Sequence, residues 1–348
     1  MIIPIIVGPT GIGKTNLSIL LAKRLNGEII SADSMQVYKQ MDIGTAKATK
    51  EEMQGIKHYL IDILNPNERF TVVEFKKESL NIINEIKKSN KYPIIAGGTG
   101  LYVNSLVYNY NFEKDLEYTK TSEEEYNKNI VQFRKEIIEK LDKNEITLNQ
   151  LYKKALDIDY DSAIKISETD RKRIVKILEI YYTTKQTKTF IDKIRKEEQE
   201  ILKKEYEKEN NVVESQGNQY MIFELIMDRE KLYDRINKRI DLMIEQGLVE
   251  EVKKIVEYIE KEEGKTITQI QNNALITSLQ AIGYKEVIEY LQGNISYEEM
   301  VYLLKRDSRR YAKRQMTWFR KSNCIKLDRN KTDEELLNEI LVNLKINK

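Results

Sequence analysis

Gly8-Pro9-Thr10-Gly11-Ile12-Gly13-Lys14-Thr15 follows directly on the apolar run Ile2-Ile3-Pro4-Ile5-Ile6-Val7. The eight residues fit the pattern G-x-x-x-x-G-K-[ST], in which glycines let backbone N–H groups converge on phosphate oxygens. After Gly13 the apolar period changes. Leu17, Leu20, Leu21 and Leu25 recur at helical spacing. A helix that starts at such a loop adds its positive end to the anion site. Lys14 supplies a point charge and the Thr15 hydroxyl a Mg²⁺ ligand. The strand before and the helix after separate this pattern from an ordinary glycine-rich turn, so it reads as a site for a di- or triphosphate.

Outward from that loop, strands alternate with helices. Glu28-Ile29-Ile30 predicts a second strand ending near Asp33. His58-Tyr59-Leu60-Ile61 predicts a third, residues 73–86 a helix, and Pro93-Ile94-Ile95-Ala96 a buried strand stopped by Gly97-Gly98. This alternation predicts an α/β fold, a P-loop NTPase-like parallel sheet with helices on both faces. From Tyr110 to about Asn211 the chain is rich in Lys and Glu and has no clear strand. The expected organisation is therefore a first part of the core at 1–112, a helical insertion at 113–212, and a second part at 213–348. In that last part Gln219–Leu225 restores a strand pattern, and a helix spans Arg229–Glu245 with Gly247 just past its end. Ser296-Tyr297-Glu298-Glu299 reads as a capping box opening a helix that runs to about Lys321. The run Glu123–Glu125 and the charged stretch from Arg195 to Asn210 read as solvated helix faces.

Bulk properties narrow the class. The 348 residues have room for an α/β domain and a second lobe, with 41% hydrophobic and 33% charged content. A net charge of +2 means that any nucleic-acid footprint must be local. A lone cysteine, Cys324, excludes an internal disulfide and fits a reducing, cytoplasmic compartment. The Ile2–Val7 run is too short for a signal peptide or a membrane span, and four prolines argue against long disordered linkers.

Asp33 stands at the end of the second strand, and the carboxyl ends of strands in such sheets face the ligand crevice. A carboxylate there can take a proton from a substrate amine or hydroxyl, or else cap a helix or touch a Mg²⁺-bound water. A kinase or ATPase requires a metal-organising Asp after an apolar strand. The strand at Pro93–Ala96 ends in Gly97-Gly98-Thr99-Gly100 instead, and Asp62 is the residue that could serve. Arg235 and Arg239 lie four apart and can share a helix face. Lys305 to Lys321 holds eight cations against one acid, Asp307. On a helix, Arg306, Arg310 and Lys313 or Arg314 form a stripe that could track a phosphate backbone. Trp318 and Phe319 read as core, and His58, the single histidine, as structural.

Six segments together carry a resemblance. Gly8–Thr15, Ala32–Tyr38, Met41–Lys47, Gly97–Tyr102, Ile282–Glu286 and Ala312–Phe319 are similar, in order and spacing, to the signatures of tRNA dimethylallyltransferases. The resemblance runs from the first residues to about Arg320. One departure is Ala48, where the family usually has proline after the lysine, and it is expected to alter only a loop.

The resemblance implies that Gly8, Pro9, Thr10, Gly11, Ile12, Gly13, Lys14 and Thr15, with Arg239, hold the diphosphate of dimethylallyl diphosphate rather than ATP. Thr15 would hold Mg²⁺. Asp33 and Thr99 would be the catalytic pair, Asp33 taking the proton of the adenine amine and Thr99 touching the same base or its neighbours. Asp33, Ser34, Met35, Gln36 and Thr99 would line the tRNA-facing wall. Asp170 and Arg173 match the family's Asp-x-x-Arg contact segment, and Arg309, Lys313 and Arg314 would meet the anticodon stem-loop. The implied partners are tRNA and dimethylallyl diphosphate, with no membrane, and the implied state is a monomer. A prenyltransferase acting on a free adenylate, a small-molecule kinase and a nucleotide-switch protein remain as rivals. The helical insertion and the basic helix speak against the first, since a free nucleotide needs neither. ATP consumption would mark the second, and affinity without turnover the third.

Overall fold

The structure, a computed structural model, describes residues 1–110, 123–206, 211–273, 276–320 and 322–346. The chain divides into two compact units, Met1–Asn109 with Tyr206–Lys348, and Tyr110–Glu205.

The first unit is built on a seven-stranded sheet: β1 (Ile2–Val7), β2 (Gly27–Ser31), β3 (His58–Tyr59), β4 (Tyr92–Gly97), β5 (Val212–Ser215), β6 (Asn218–Ile226) and β7 (Ile325–Asp328). The order is β3-β2-β4-β1-β6, with β5 antiparallel on the first half of β6 and β7 parallel on its second half. All other pairings are parallel. Residues 3–7 are fully buried because helices cover both faces, which is why the strand reads as a continuous apolar run. On one face, helix α1 (Lys14–Leu25) places Leu17 and Leu21 against Ile6, Ile29 and Ile94, and Leu336, Leu337 and Ile340 of a C-terminal helix join the same cluster. Helix α2 spans Lys50–Met53. Helix α3 (Val72–Lys88) opens on a full capping box, Thr71 with Glu74, and packs on β2, β4 and α4 (Gly100–Val107) without joining that cluster. This is the P-loop-like α/β fold that the alternation of strands and helices predicts.

Several boundaries differ from expectation. β3 stops at Tyr59, because Leu60 (φ 60°) and Asp62 (φ 55°) adopt left-handed backbone, a geometry no ladder can continue. Lys47 fixes this turn: its buried ammonium donates to Tyr38 O at 2.8 Å, Asp42 at 2.6 Å and Asp62 at 2.5 Å. The core also resumes before residue 213, since Val212 pairs with Met221.

In the second unit α5 (Glu123–Asp142), α6 (Leu148–Ile158), α7 (Tyr160–Ala163), α8 (Arg171–Thr184) and α9 (Lys188–Tyr206) follow one another, and no described residue there is a strand. Its core gathers Leu151, Ala155, Ala163, Ile174, Ile177 and Leu178.

After β6 the chain continues as α10 (Arg229–Glu245), α11 (Leu248–Glu263), α12 (Ile267–Asn273), α13 (Tyr284–Leu291), α14 (Tyr297–Phe319) and, past β7, α15 (Asp333–Asn343). α10 has the expected bounds: Asp228 caps it by accepting from Glu230 N and Lys231 N, and Gly247 (φ 99°) lies just past its end. At α14, Ser296 accepts from Glu299 N, but its hydroxyl donates to Glu298, so the expected box is half-formed. Helices α10 to α14 share a second core with Val37, Tyr38 and Met41.

Candidate active site

The turn from β1 to α1 is the floor of the site. Gly13 precedes α1 at φ 102°, a left-handed position open to glycine at low cost, and no side chain caps the helix. The first N–H groups of α1 are thus left for a ligand. Lys14 folds back over the loop and donates to Gly8 O at 3.0 Å and Pro9 O at 2.9 Å. Its ammonium is lowered to a pKa of about 8, chiefly by burial, with Asp33 opposing the shift and Arg239 adding to it. Ile12 is fully buried in the sheet core, so its side chain serves packing and only its backbone is on offer.

Two cavities meet here. The larger, about 420 Å³, is bordered by Thr10, Gly11, Gly13, Lys14, Thr15, Gln36 and, at its far end, Ile19, Ile29, His58 and Ile61. The smaller, about 250 Å³, has an apolar wall of Ile236, Ile240, Met243, Leu248 and Leu304, with Ser34, Met35 and Arg314 on its polar side. Thr10, Asp33, Thr45, Arg239 and Tyr311 border both. That shared set is where a phosphate-bearing molecule and a flat apolar group could touch.

The structure fixes each of these residues locally. Asp33 Oδ1 accepts from Met35 N at 2.9 Å, turning the chain at the end of β2. Thr99 precedes α4 but caps nothing; its Oγ1 instead accepts from Ser34 N at 3.1 Å. Thr99 is not among the residues that line the two cavities, and it holds the Asp33–Ser34 turn from behind. Gln36 accepts from Ser31 Oγ at 3.1 Å and donates to Thr45 O at 3.4 Å. Arg239 donates to Thr10 Oγ1 at 3.3 Å. Arg235 borders the larger cavity too, one helical turn before Arg239.

Two participants have no signal in the sequence. Gln315 bridges the site, accepting from Thr10 N at 2.8 Å and donating to Gly98 O at 3.0 Å. A side chain on Gly98 would place its Cβ 2.2 Å from Gln315 Nε2, which accounts for the glycine there. Tyr311, four residues earlier on the same face of α14, lies beside Thr99 and Gln315 and borders both cavities. Burial, with Asp33 adding, pushes its phenol above the ordinary range, so it stays neutral.

Other expectations change. Asp62 is held by Lys47 and does not border the larger cavity, which removes it as a metal-organising residue. Ala48 lies in a loop, as expected, and that loop borders the larger cavity. Trp318 is 41% exposed and lies against Gly100, whereas Phe319 is core. His58 bonds Ile56 O through Nδ1 at 2.9 Å, and burial keeps its ring neutral. On α14, Arg309 donates to Asn237 Oδ1 at 2.7 Å and is taken up in packing. Arg306 and Arg310 both pair with Asp307, and Lys305 pairs with Asp241. These pairs are only partly exposed. Lys313 and Arg314 are exposed and carry no such pair, Arg314 lying over the Tyr311 ring at 5.5 Å. Lys321 lies outside the described residues.

In the second unit Asp170 caps α8 by accepting from Arg173 N at 3.0 Å and pairs with the Arg173 guanidinium at 3.4 Å. Arg173 borders a cavity of about 500 Å³ that also holds Lys165, Lys176, Lys188, Lys193 and Lys196. No helix among the described residues is long and apolar enough to cross a membrane.

Comparison with known proteins agrees with this geometry. The family model described as IPP transferase matches residues 36–322. The tRNA dimethylallyltransferase of Acetivibrio thermocellus is 45% identical over 342 residues, covering 98% of this chain and 95% of that protein. That of Clostridioides difficile is 41% identical over 348 residues, covering 99% and 98%. The crystal structure of a tRNA delta(2)-isopentenylpyrophosphate transferase from Staphylococcus epidermidis aligns with a TM-score of 0.62 at 40% identity, over 99% of both chains. A eukaryotic dimethylallyltransferase acting on tRNA aligns with a TM-score of 0.67 at 27% identity, over 97% of this chain and 77% of the other. The family model begins past the loop at Gly8–Thr15, but the full-length relatives extend across it, and together they show that this chain belongs to the IPP transferase family.

Proposed function

We propose that this chain transfers a dimethylallyl group from dimethylallyl diphosphate to the exocyclic amine of the tRNA adenosine immediately 3′ of the anticodon. The observation that carries the proposal is the pair of cavities meeting at Asp33. The diphosphate fits the larger one, on the loop at Gly8–Thr15 with Lys14 and Arg239. The adenine, turned out of the anticodon loop, fits the apolar wall of the smaller one. In the transfer step the bond from C1 of the donor to its bridging oxygen breaks, and a bond from the adenine nitrogen to C1 forms. Pyrophosphate leaves with the electron pair, and the amine's proton passes to Asp33, whose Oδ1 is used by the Met35 turn, leaving Oδ2 to accept it. Lys14, Arg239 and the N–H groups of α1 bear the charge that grows on the leaving oxygens.

Mg²⁺ suits the same end of the larger cavity. Thr15 borders it with a hard oxygen donor, the kind Mg²⁺ combines with substrate phosphates. When bound there, Mg²⁺ would neutralise charge on the departing diphosphate. A tRNA substrate together with a single cysteine supports a cytoplasmic setting.

The test is turnover with dimethylallyl diphosphate and Mg²⁺ alone. Pyrophosphate should appear in step with prenylated tRNA and without ATP. Stoichiometric ATP hydrolysis, or prenylation of free adenylate at a rate matching tRNA, would replace the proposal with one of its rivals.

The nucleic acid is proposed to be held by Lys313 and Arg314 and by the basic cavity around Arg173. Replacing Lys313 and Arg314 together with alanine should reduce the slope of log affinity against log salt by about 0.7–0.9 per phosphate contact removed. Donor affinity should hardly change. An unaltered slope in a filter-binding salt series would place the whole contact elsewhere.

A further inference from the structure

The loop from Asp42 to Thr45, with Ala46 next to it, stands where the two cavities meet: Gly44 borders the smaller, Ala46 the larger, and Thr45 both. It contributes no charged group to either. Its placement comes from a distant helix. Glu251, on α11, accepts from three successive backbone N–H groups: Asp42 at 2.9 Å and Ile43 at 2.8 Å through Oε2, and Gly44 at 3.0 Å through Oε1. Successive N–H groups of this kind form an anion-binding concavity, and here the anion is a side chain of the protein. The fourth bond comes from Tyr284, whose hydroxyl donates to Glu251 Oε1 at 2.6 Å. Tyr284 is fully buried, and burial with the Glu251 charge holds its phenol neutral, so it remains a donor.

The same contact explains two segments that Asp33 chemistry leaves unused. A Cβ on Gly44 would lie 2.5 Å from the Tyr284 ring, so glycine alone lets loop and ring meet. Gly283, at φ 103°, starts the helix that carries Tyr284. Met41–Lys47 and Ile282–Glu286 are thus two halves of one joint, closed by Glu251. The loop is held from its other side by Lys47, which bonds Asp42 and Tyr38 O.

We infer that Glu251 is a positioning residue for the transfer: it fixes the Asp42–Thr45 loop so that the acceptor base meets the donor carbon beside Asp33. The inference rests on the proposed prenyl transfer and assigns that reaction a part remote from the reacting atoms. Four hydrogen bonds converge on one carboxylate, and a carboxamide cannot replace it, because its NH₂ would face N–H groups. Displacement of such a loop by about 1 Å can cost on the order of 10²-fold in rate without any lost catalytic group.

The experiment compares wild type, Glu251→Gln, Glu251→Asp and Tyr284→Phe in single-turnover transfer to tRNA, with donor affinity and thermal midpoint measured on the same samples. The expected result for Glu251→Gln is a rate about 10²-fold lower and a raised KM for tRNA, with donor affinity kept because the loop at Gly8–Thr15 is untouched. Glu251→Asp should recover part of the rate. Tyr284→Phe, which removes one bond of four and keeps the ring against Gly44, should lose about tenfold and covers the case in which Glu251→Gln does not fold. A wild-type rate in both Glu251→Gln and Tyr284→Phe would overturn the inference. So would losses that fall equally on donor affinity and rate in proportion to the unfolded fraction. Absence of transfer by the wild type would instead strike the proposed function.

Discussion

Asp33→Asn is expected to lower the single-turnover transfer rate by about 10²–10⁴-fold, the usual span for loss of a general base. Donor and tRNA affinities should change far less. The carboxamide keeps the size of the side chain and can still accept from Met35 N, so the turn at the end of β2 survives. What it loses is the capacity to take a proton. The adenine amine is a poor nucleophile, its lone pair being delocalised into the ring, and a positioned base matters most for such a group. Asp33 also supplies the charge that opposes the lowering of Lys14 and Arg239. Its neutralisation removes a repulsive neighbour of the diphosphate but also lowers the Lys14 ammonium further, two effects of opposite sign that leave donor affinity changed far less than the rate. A fall in donor affinity parallel to the rate, with partial rescue by added Mg²⁺, would mean that Asp33 acts through metal-bound water. Near-normal turnover would leave positioning and leaving-group stabilisation as the whole mechanism.

Lys14→Gln should cost about 10²–10³-fold in rate, comparable with removal of one preorganised donor from a site of developing negative charge. The pH dependence gives a second reading of the same residue. In the free protein the Lys14 ammonium titrates at about 8, lowered from 10.5 chiefly by burial. A bound diphosphate favours the charged form and raises that value again. Above pH 8, donor binding must then take up a proton, so donor affinity should be flat below about pH 8 and fall as pH rises through it, by at most about tenfold per unit. The sign for folding is opposite. Between about 8 and 10.5 the unfolded chain holds a proton that the folded one has released, so the donor-free protein gains stability with rising pH across that window. Calorimetry in two buffers of different ionisation heat should detect the proton uptake in wild type and miss it in Lys14→Gln. A donor affinity independent of pH from 7 to 10 would show that Lys14 stays charged throughout.

Local rules made the centre of this fold legible. The apolar run at Ile2–Val7, the glycine loop and the helical leucines each match what their position requires, and Asp228 with Gly247 marks both ends of α10. Tertiary context decided the rest. β3 looked four residues long because His58-Tyr59-Leu60-Ile61 has strand composition, yet Lys47 draws Asp62 aside and the backbone turns left-handed. β7 is four residues long and pairs where β6 outruns β5, on the edge of β6 that β1 does not occupy. Within the site, Asp33, Lys14 and Thr15 were readable because motif and strand end point at one crevice, whereas Arg239 was singled out by the family resemblance. Tyr311 and Gln315 were not, since they enter from a helix that reads as a basic surface, and only its face toward Gly98 carries them. Arg309 shows the reverse: in the sequence it is one of eight cations between Lys305 and Lys321, and in the fold it is bonded to Asn237. Glu251 lies about two hundred residues from the N–H groups it holds, and no spacing rule reaches that far.

The central claim is that the two cavities meeting at Asp33 bring a prenyl diphosphate to a tRNA adenosine. Nucleoside mass spectrometry on tRNA incubated with the protein, dimethylallyl diphosphate and Mg²⁺, without ATP, tests it most directly. The account predicts one adenosine per reactive tRNA heavier by C₅H₈, located immediately 3′ of the anticodon, and none in a parallel sample with Asp33→Asn at equal time. Unmodified tRNA in the wild-type sample, or a prenyl group on any other nucleotide, would contradict it.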